Sequence, residues 1–225
     1  MELDNIIGTG QSKQQLMRIS QDNPQITQTL ESIFQDYSKC LQDSGDNGQS
    51  IEDKRRRLVK FFAQNSDIYH ISSRIKSPEH LVNKIINRLY KRRKQYFNIS
   101  QDNYYKIVTD LLGFKLIHCF PDGWTQIDDL LFDSFYQNDE QFITNYCLDY
   151  TSNPKKPFLI EKPLVYYPVD SDISMYKAKE KKKGKNLYQY EPTRAYKAVH
   201  YLINFEGVYT EIQVKSMSDD LYGVW

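Results

Sequence analysis

Residues 198–214 read A-V-H-Y-L-I-N-F-E-G-V-Y-T-E-I-Q-V, and their pattern decides the fold. Two runs rich in β-branched and aromatic residues flank N-F-E-G at 204–207, the signal of a β-hairpin closed by a four-residue loop. Alternation in the second run sets Val208, Thr210, Ile212 and Val214 on one side and Tyr209, Glu211, Gln213 and Lys215 on the other. A carboxylate, an amide and an ammonium thus share one surface. Taken alone, such a surface is the solvated face of an antiparallel sheet, so its meaning depends on what stands near it.

Upstream, residues 113–120 form a short apolar run bounded by turn formers, which predicts a buried strand. Asp110 stands just ahead of it, and Lys115 and His118 lie within it. Residues 164–167, enclosed by Pro163 and Pro168, predict a second short strand confined to a sheet edge. Five prolines (154, 157, 163, 168 and 192) and a basic run at 177–185 make residues 151–192 read as a largely exposed insertion or loop.

The N-terminal third is helical in pattern. From Pro24, the residues Ile26, Leu30, Ile33, Phe34, Tyr37 and Leu41 recur at helical spacing until the Gly-, Ser-, Asn- and Asp-rich stretch 43–50. A second helix starts near Ile51 and carries Lys54, Arg55, Arg56 and Arg57 ahead of Leu58, Val59, Phe61 and Phe62. Ser77, Pro78 and Glu79 open a third, expected to run to about Tyr96. Its stripe of Leu81, Val82, Ile85, Ile86, Leu89 and Tyr90 faces a core, while Lys84, Arg88 and Arg92 are four apart and project together. Residues 1–22 are polar and read as a weakly anchored arm. The sum is an α+β chain, a mixed β-sheet flanked by helices, with an N-terminal arm and helices over 1–62 and the main domain over 63–225.

Composition bounds the function. At 225 residues, 40% hydrophobic and 14% aromatic, the chain can build one sizeable core with a helical appendage. Thirty basic against 29 acidic residues leave a formal charge of +1, so no global field draws it to nucleic acid or membrane. Cys40, Cys119 and Cys147 are odd in number and widely spaced, which fits reduced thiols better than a disulfide framework or a zinc site. No stretch approaches the roughly 18 consecutive apolar residues of a membrane span, and the N-terminus lacks a secretory pattern. The expectation is a cytoplasmic protein that does not engage membranes.

Transfer of a phosphoryl or pyrophosphoryl group asks little covalent help of a protein. It needs Mg²⁺ held by carboxylates, cations around the phosphate oxygens, and an aligned acceptor oxygen. Asp110 and Glu211, on or beside strands and accompanied by Lys and Arg, supply such a set. An aspartate ahead of a strand is ordinarily a turn or cap residue, so the pair counts only as part of that set.

Four segments carry a resemblance: S-R-I-K-S-P-E-H-L-V-N-K-I (73–85), T-D-L-L-G-F-K-L-I-H-C-F (109–120), Y-K-A-V-H-Y (196–201) and E-I-Q-V-K-S-M (211–217). In this order and spacing, across about 145 residues, the chain resembles the synthetase domain of RelA/SpoT-type alarmone synthetases, including the small single-domain ones. The resemblance implies a nucleotidyltransferase-type mixed sheet flanked by helices, with ATP as pyrophosphate donor and GDP or GTP as acceptor. It also implies roles. Arg74, Lys76 and Lys84 grip ATP, with Arg88 and Lys115 beside them. Asp110 and Glu211 hold Mg²⁺, Glu211 alternatively taking the proton of the attacking 3′-hydroxyl. Tyr196 stacks on the acceptor guanine, and Lys197, His200, Gln213 and Lys215 line the acceptor pocket. Only the resemblance, and not spacing, brings Asp110 across to Glu211.

The chain departs from that family at the acceptor loop, where Ala195, Tyr196, Lys197 and Ala198 stand in place of Gly-Tyr-Arg-Ser. Lys115 and Lys215 stand where arginine is commoner, keeping charge but losing the two-pronged donor. It also ends at Trp225, where the family continues, so the domain reads as shortened at its C-terminal end. Only His70 and His80 precede Asp110 and neither is followed by Asp, so no hydrolase motif is expected. A rival within the same chemistry is a toxin-type relative that modifies the 3′ end of tRNA, its RNA backbone held by the basic residues of 177–185 and by Lys91, Arg92, Arg93 and Lys94. Another class altogether is a catalytically silent nucleotide- or RNA-binding regulator. A second copy or an antitoxin-like regulatory partner completes the list of partners this reading carries.

Overall fold

In the computed structural model, which describes residues 7, 10–42, 50–120, 122–136, 158–183 and 187–222, the hairpin lies in the middle of a seven-stranded sheet. The strands are β1 (His70–Ile75), β2 (Leu112–His118), β3 (Phe158–Leu159), β4 (Leu164–Pro168), β5 (Gln189–Thr193), β6 (Ala198–Phe205) and β7 (Val208–Ser216). They run in the order β1-β2-β7-β6-β4-β5, with β3 also pairing on β6. Pairs β2/β7 and β4/β5 are parallel and the others antiparallel, so the sheet is mixed. The hairpin turn is tighter than its sequence predicts. Phe205 pairs with Val208, leaving Glu206 (φ 48°) and Gly207 (φ 85°) as a two-residue turn with both residues left-handed, the kind whose twist matches the flanking strands.

Two sequence expectations fail around β4. It is flanked on both sides, by β6 and β5, and is not an edge. Pro163 falls outside the strand and Pro168 ends it, so neither removes a hydrogen bond from its middle; the edge is β5, which carries Pro192. Nor are the described residues of 151–192 chiefly loop, because β3, β4, most of β5 and the helix α7 (Ser174–Lys183) lie among them. Lys179 of the basic run turns inward, its Nζ 2.5 Å from Asp129 Oδ2 and donating to the Thr125 carbonyl at 2.9 Å. That makes it a packing residue, whereas Lys177 and Lys181 stay exposed. Lys185, the side chains of Lys182 and Lys183, Cys147, Pro154, Pro157, the breaker at 43–49 and the terminal Trp225 lie outside the described residues.

The helices before and after β1 are α1 (Gly10–Asp22), α2 (Ile26–Gln42), α3 (Ile51–Phe62), α4 (Pro78–Tyr90) and α5 (Tyr104–Ile107); α6 (Gly123–Leu131) follows β2, and α8 (Met217–Tyr222) follows β7. Residues 10–22 of the expected loose arm are the helix α1, anchored because Leu16 enters the core shared with α2, α4 and α5. Ser77 caps α4, its Oγ accepting from the His80 N–H, with Pro78 in the first turn. That helix stops at Tyr90 rather than near Tyr96, because Arg92 adopts a left-handed φ of 52°. Arg92 therefore leaves the row of Lys84 and Arg88 and sits exposed, 3.8 Å from Asp22.

The sheet has two unlike faces. Leu112, Phe114, Leu116, Val199, Tyr201, Ile203, Phe205, Ile212 and Val214 point to one side and are buried with side chains from α3, α6 and α7. Each large side chain so enclosed stabilises the fold by about 1.5–3 kcal/mol. The opposite side carries Ser72, Arg74, Lys115, His200, Glu211, Gln213 and Lys215 by strand alternation. No helix among the described residues is long and apolar enough to cross a membrane.

Candidate active site

Strand register assembles the polar face row by row. Arg74, Gly113 and Glu211 are successive partners across β1, β2 and β7, and Ser72, Lys115, Gln213 and His200 form the next row. Gly113 keeps the first row open: a Cβ there would touch the Cγ and Nε of Arg74 at 3.5 Å. The result is a cleft of about 250 Å³ lined by Ser72, Ser73, Arg74, Gly113, Phe114, Lys115, Glu211 and Gln213.

Asp110 enters this face from the end where β1 leaves and β2 begins, a junction held by the Lys76 N–H donating to the Leu111 carbonyl at 2.9 Å. Lys76 Nζ lies 3.0 Å from Asp110 Oδ2, and Lys84 Nζ, from α4, lies 2.7 Å from Oδ1. Tyr37 of α2 braces the junction by donating to the Lys76 carbonyl at 2.9 Å. Burial pushes the Asp110 carboxyl up, but the two ammonium groups outweigh it and its pKa ends below the ordinary value. Burial also lowers the pKa of Lys84. Arg88, one turn further along α4, is near enough for its charge to act on Lys84 and Tyr166.

Glu211 is held from two sides. His200 Nδ1 lies 3.2 Å from Oε1, and Gln213 Nε2 donates to Oε2 at 3.1 Å. An ionised carboxylate only accepts, so Nδ1 carries the His200 proton and Nε2 receives the Tyr196 hydroxyl, 2.7 Å away. Burial raises the Glu211 pKa, the His200 and Gln213 contacts more than offset this, and the charge of Asp110 opposes them. Both carboxylates are thus kept ionised and lie within electrostatic reach of each other.

The acceptor-side residues form an aromatic and cationic cluster. Tyr166 meets His200 edge-on at 4.7 Å between ring centroids and Tyr196 at 5.6 Å. Lys215 Nζ lies 4.3 Å from the Tyr196 ring centroid. Burial, and then the charge of Glu211, raise the Tyr196 pKa, so its hydroxyl stays protonated. Lys197 lines an adjoining cavity of about 180 Å³ together with Lys215, His118, Trp124 and Tyr176. His118 belongs to the core-facing side of β2, its Nδ1 2.7 Å from the Phe120 carbonyl oxygen.

Two members of the cluster escape the sequence reading. Tyr166 lies in a segment read as an insertion, and only the pairing of Tyr166 with Ala198 brings it beside His200. Asp220 follows the last motif, and its carboxylate lies 2.8 Å from Lys115 Nζ. Its signal was present in the sequence, since an aspartate five residues beyond Lys215 returns to it if a helix begins at once.

The donor set fits a divalent cation in kind. Asp110 and Glu211 are two ionised oxygen donors, the ligands that Mg²⁺ takes together with substrate phosphates and water. Among the described residues no group of three or more His, Cys, Asp or Glu gathers as a self-sufficient metal site.

No protein-family model matches the chain, and no curated protein matches it. Solved structures do. A Streptococcus mutans UA159 protein matches at 15% identity and TM-score 0.42 over 76% of this chain and 66% of that one. The small alarmone synthetase 1 of Bacillus subtilis matches at 13% and 0.40 over 77% and 69%, and a GTP pyrophosphokinase family protein of Streptococcus pneumoniae at 13% and 0.40 over 77% and 64%. The chain thus spans about two thirds of the length of the structures it matches. The four segments whose residues resemble the RelA/SpoT-type synthetases each bring polar residues onto or beside one sheet face.

Proposed function

We propose that the chain transfers the terminal pyrophosphoryl group of ATP to the 3′-hydroxyl of GDP or GTP. The observation that carries the reading is the juxtaposition of two ionised carboxylates, Asp110 and Glu211, with the cations Arg74, Lys76, Lys84, Lys115 and Lys215 on a single face. In the reaction the acceptor 3′-oxygen forms a bond to the β-phosphorus of ATP, the bond from that phosphorus to the bridging α,β-oxygen breaks, and AMP leaves.

Arg74 and Lys115 line the cleft, while Lys76, just after β1, and Lys84 of α4 close on Asp110 with Arg88 near Lys84, a spread of cations suited to the negative charge of a triphosphate. The lysines that close on Asp110 are the groups the phosphates would draw away, and the carboxylate so released, with Glu211, would hold a divalent cation. Mg²⁺, when bound, neutralises charge on the phosphate oxygens. Glu211 is the acceptor for the 3′-hydroxyl proton, and His200 and Gln213 orient it. Tyr196 and Tyr166 offer ring surface for a purine, and Lys215 offers charge for its phosphates.

The tRNA reading loses part of its support, since Lys179 is committed to Asp129 inside the fold. The silent-binder reading has no use for two carboxylates kept ionised within electrostatic reach of each other. Incubation of the protein with Mg²⁺, γ-labelled ATP and GDP, GTP or tRNA in turn tests all three. Label on the guanosine nucleotides is the expected result, label on tRNA alone would transfer the chemistry to the toxin-type acceptor, and no label on any would sink the enzyme reading.

A further inference from the structure

Helix α8 has no task in the chemistry above, yet it reaches the polar face through Asp220. Ser216, the last residue of β7, turns the chain: its Oγ accepts the Asp219 N–H at 3.0 Å and donates to the Asp219 carboxylate at 2.5 Å. The turn carries Asp220 back over the polar face. Its Oδ1 comes within 2.8 Å of Lys115 Nζ and 3.9 Å of Lys215 Nζ and is shut off from solvent. Lys115 and Lys215 belong to the neighbouring strands β2 and β7, where Lys115 pairs with Gln213 and Ile117 with Lys215. One carboxylate therefore bridges two cations that would otherwise repel each other diagonally across the sheet.

The bridge matters most for Lys215, which is only 7% exposed. The groups acting on it are Asp220 and Asp219 from α8, Lys115 from β2 and the Tyr196 ring from the preceding loop, with Lys197 and His118 across the adjoining cavity. Burial lowers its pKa, Lys115 adds to that, and the charges of Asp220 and, more weakly, Asp219 oppose it.

We propose that Asp220 is a positioning residue whose carboxylate, anchored on the ATP-side Lys115, holds Lys215 charged and aimed at the phosphates of the acceptor nucleotide. This rests on the acceptor reading above. An aspartate beside two phosphate-binding lysines can instead act as a screen that competes with the incoming anion, and the two roles have opposite signs. Loss of a positioning carboxylate weakens acceptor binding; loss of a screening one strengthens it.

Asp220→Asn and Asp220→Glu in the full chain separate them. With acceptor varied between about pH 7 and 10, the Asn variant is expected to raise the acceptor KM about tenfold, the scale of one lost charge-assisted contact, while kcat and the ATP KM change less than about threefold. Its kcat/KM should fall at alkaline pH about one unit earlier, and the Glu variant should recover most of both effects. A purely structural role would lower the melting temperature without moving the alkaline limb. An unchanged or lowered acceptor KM in the Asn variant overturns the proposal.

A second measurement does not need turnover. Carbon-13 methylation of the lysines and an NMR titration of Lys215 should show it losing its proton about one pH unit earlier in the Asn variant. Identical titration curves overturn the proposal even if the enzyme is active. A wild type that labels no acceptor but shows the shifted titration fails the functional reading alone.

Discussion

The two faces of the sheet each hold a carboxylate tied to tyrosine, and they use it in opposite ways. On the core side Asp128 of α6 is fully buried and accepts from the Tyr201 hydroxyl at 2.7 Å and the Tyr188 hydroxyl at 2.8 Å. Trp124 Nε1 donates to the Tyr201 oxygen at 3.1 Å, and Lys179 lies 3.9 Å from the Asp128 carboxylate. Trp124, Tyr176 and Phe132 pack around that network, and Asp128 at its centre is sealed from solvent. On the polar side Glu211 is linked through His200 to Tyr196, but it borders an open cleft and a row of cations. A buried polar network that is satisfied from within rigidifies a core, while one that faces a cleft stays available to a substrate.

The contrast can be broken most sharply by substitution at the two carboxylates. Asp110→Asn or Glu211→Gln should lower pyrophosphate transfer by about a hundred- to a thousandfold, the scale of a lost catalytic electrostatic group, with a urea midpoint lowered only by the contacts each carboxylate loses. Asp128→Ala should do the reverse, costing about 3 kcal/mol of stability because two tyrosine hydroxyls and Lys179 lose a buried partner, with kcat per folded molecule unchanged. If Asp128→Ala abolished turnover at full folding, the division of labour between the faces would be wrong.

Acid titration gives a smaller effect that sharpens the same comparison. The Asp110 and Glu211 pKa values lie below their ordinary ones in the folded chain: burial raises both, and Lys84 with Lys76, or His200 with Gln213, more than offset it. Their contribution to stability is therefore fully present above the unfolded values of about 4 to 4.5 and is lost as the pH falls through the lower folded values. The wild-type melting temperature should drop on acidification below about pH 4.5, and Glu211→Gln should make that drop shallower. Parallel curves would mean that the His200 and Gln213 contacts are not formed in solution. Smallest of all, Gly207→Ala should cost about 1 kcal/mol through its positive φ without touching activity, read by urea denaturation.

Much of this was legible in the sequence because it was local. Alternation placed Glu211, Gln213 and Lys215 on one side of β7, and the Ser77-Pro78-Glu79 start located α4. Pairing was not local. Nothing in 164–168 says that this strand lies between β6 and β5, so its two prolines pointed to an edge and Tyr166 went unnoticed. Lys179 looked like one more surface lysine because its partners, Asp128 and Asp129, are 50 residues away. Arg92 seemed to extend the row of Lys84 and Arg88 because helical spacing carries no sign of a left-handed residue. The meeting of Asp110 with Lys76 and Lys84 depends on β1 and β2 running antiparallel, a fact of topology.

The central claim, that the polar face moves a pyrophosphoryl group as a unit, is tested most directly by the nucleotide left behind. Chromatography of a reaction containing Mg²⁺, ATP and GDP should show AMP and the 3′-modified nucleotide rising in equal amounts with wild type and with folded Asp128→Ala, and neither with Glu211→Gln. ADP in place of AMP, or AMP formation that survives loss of Glu211, would contradict the account.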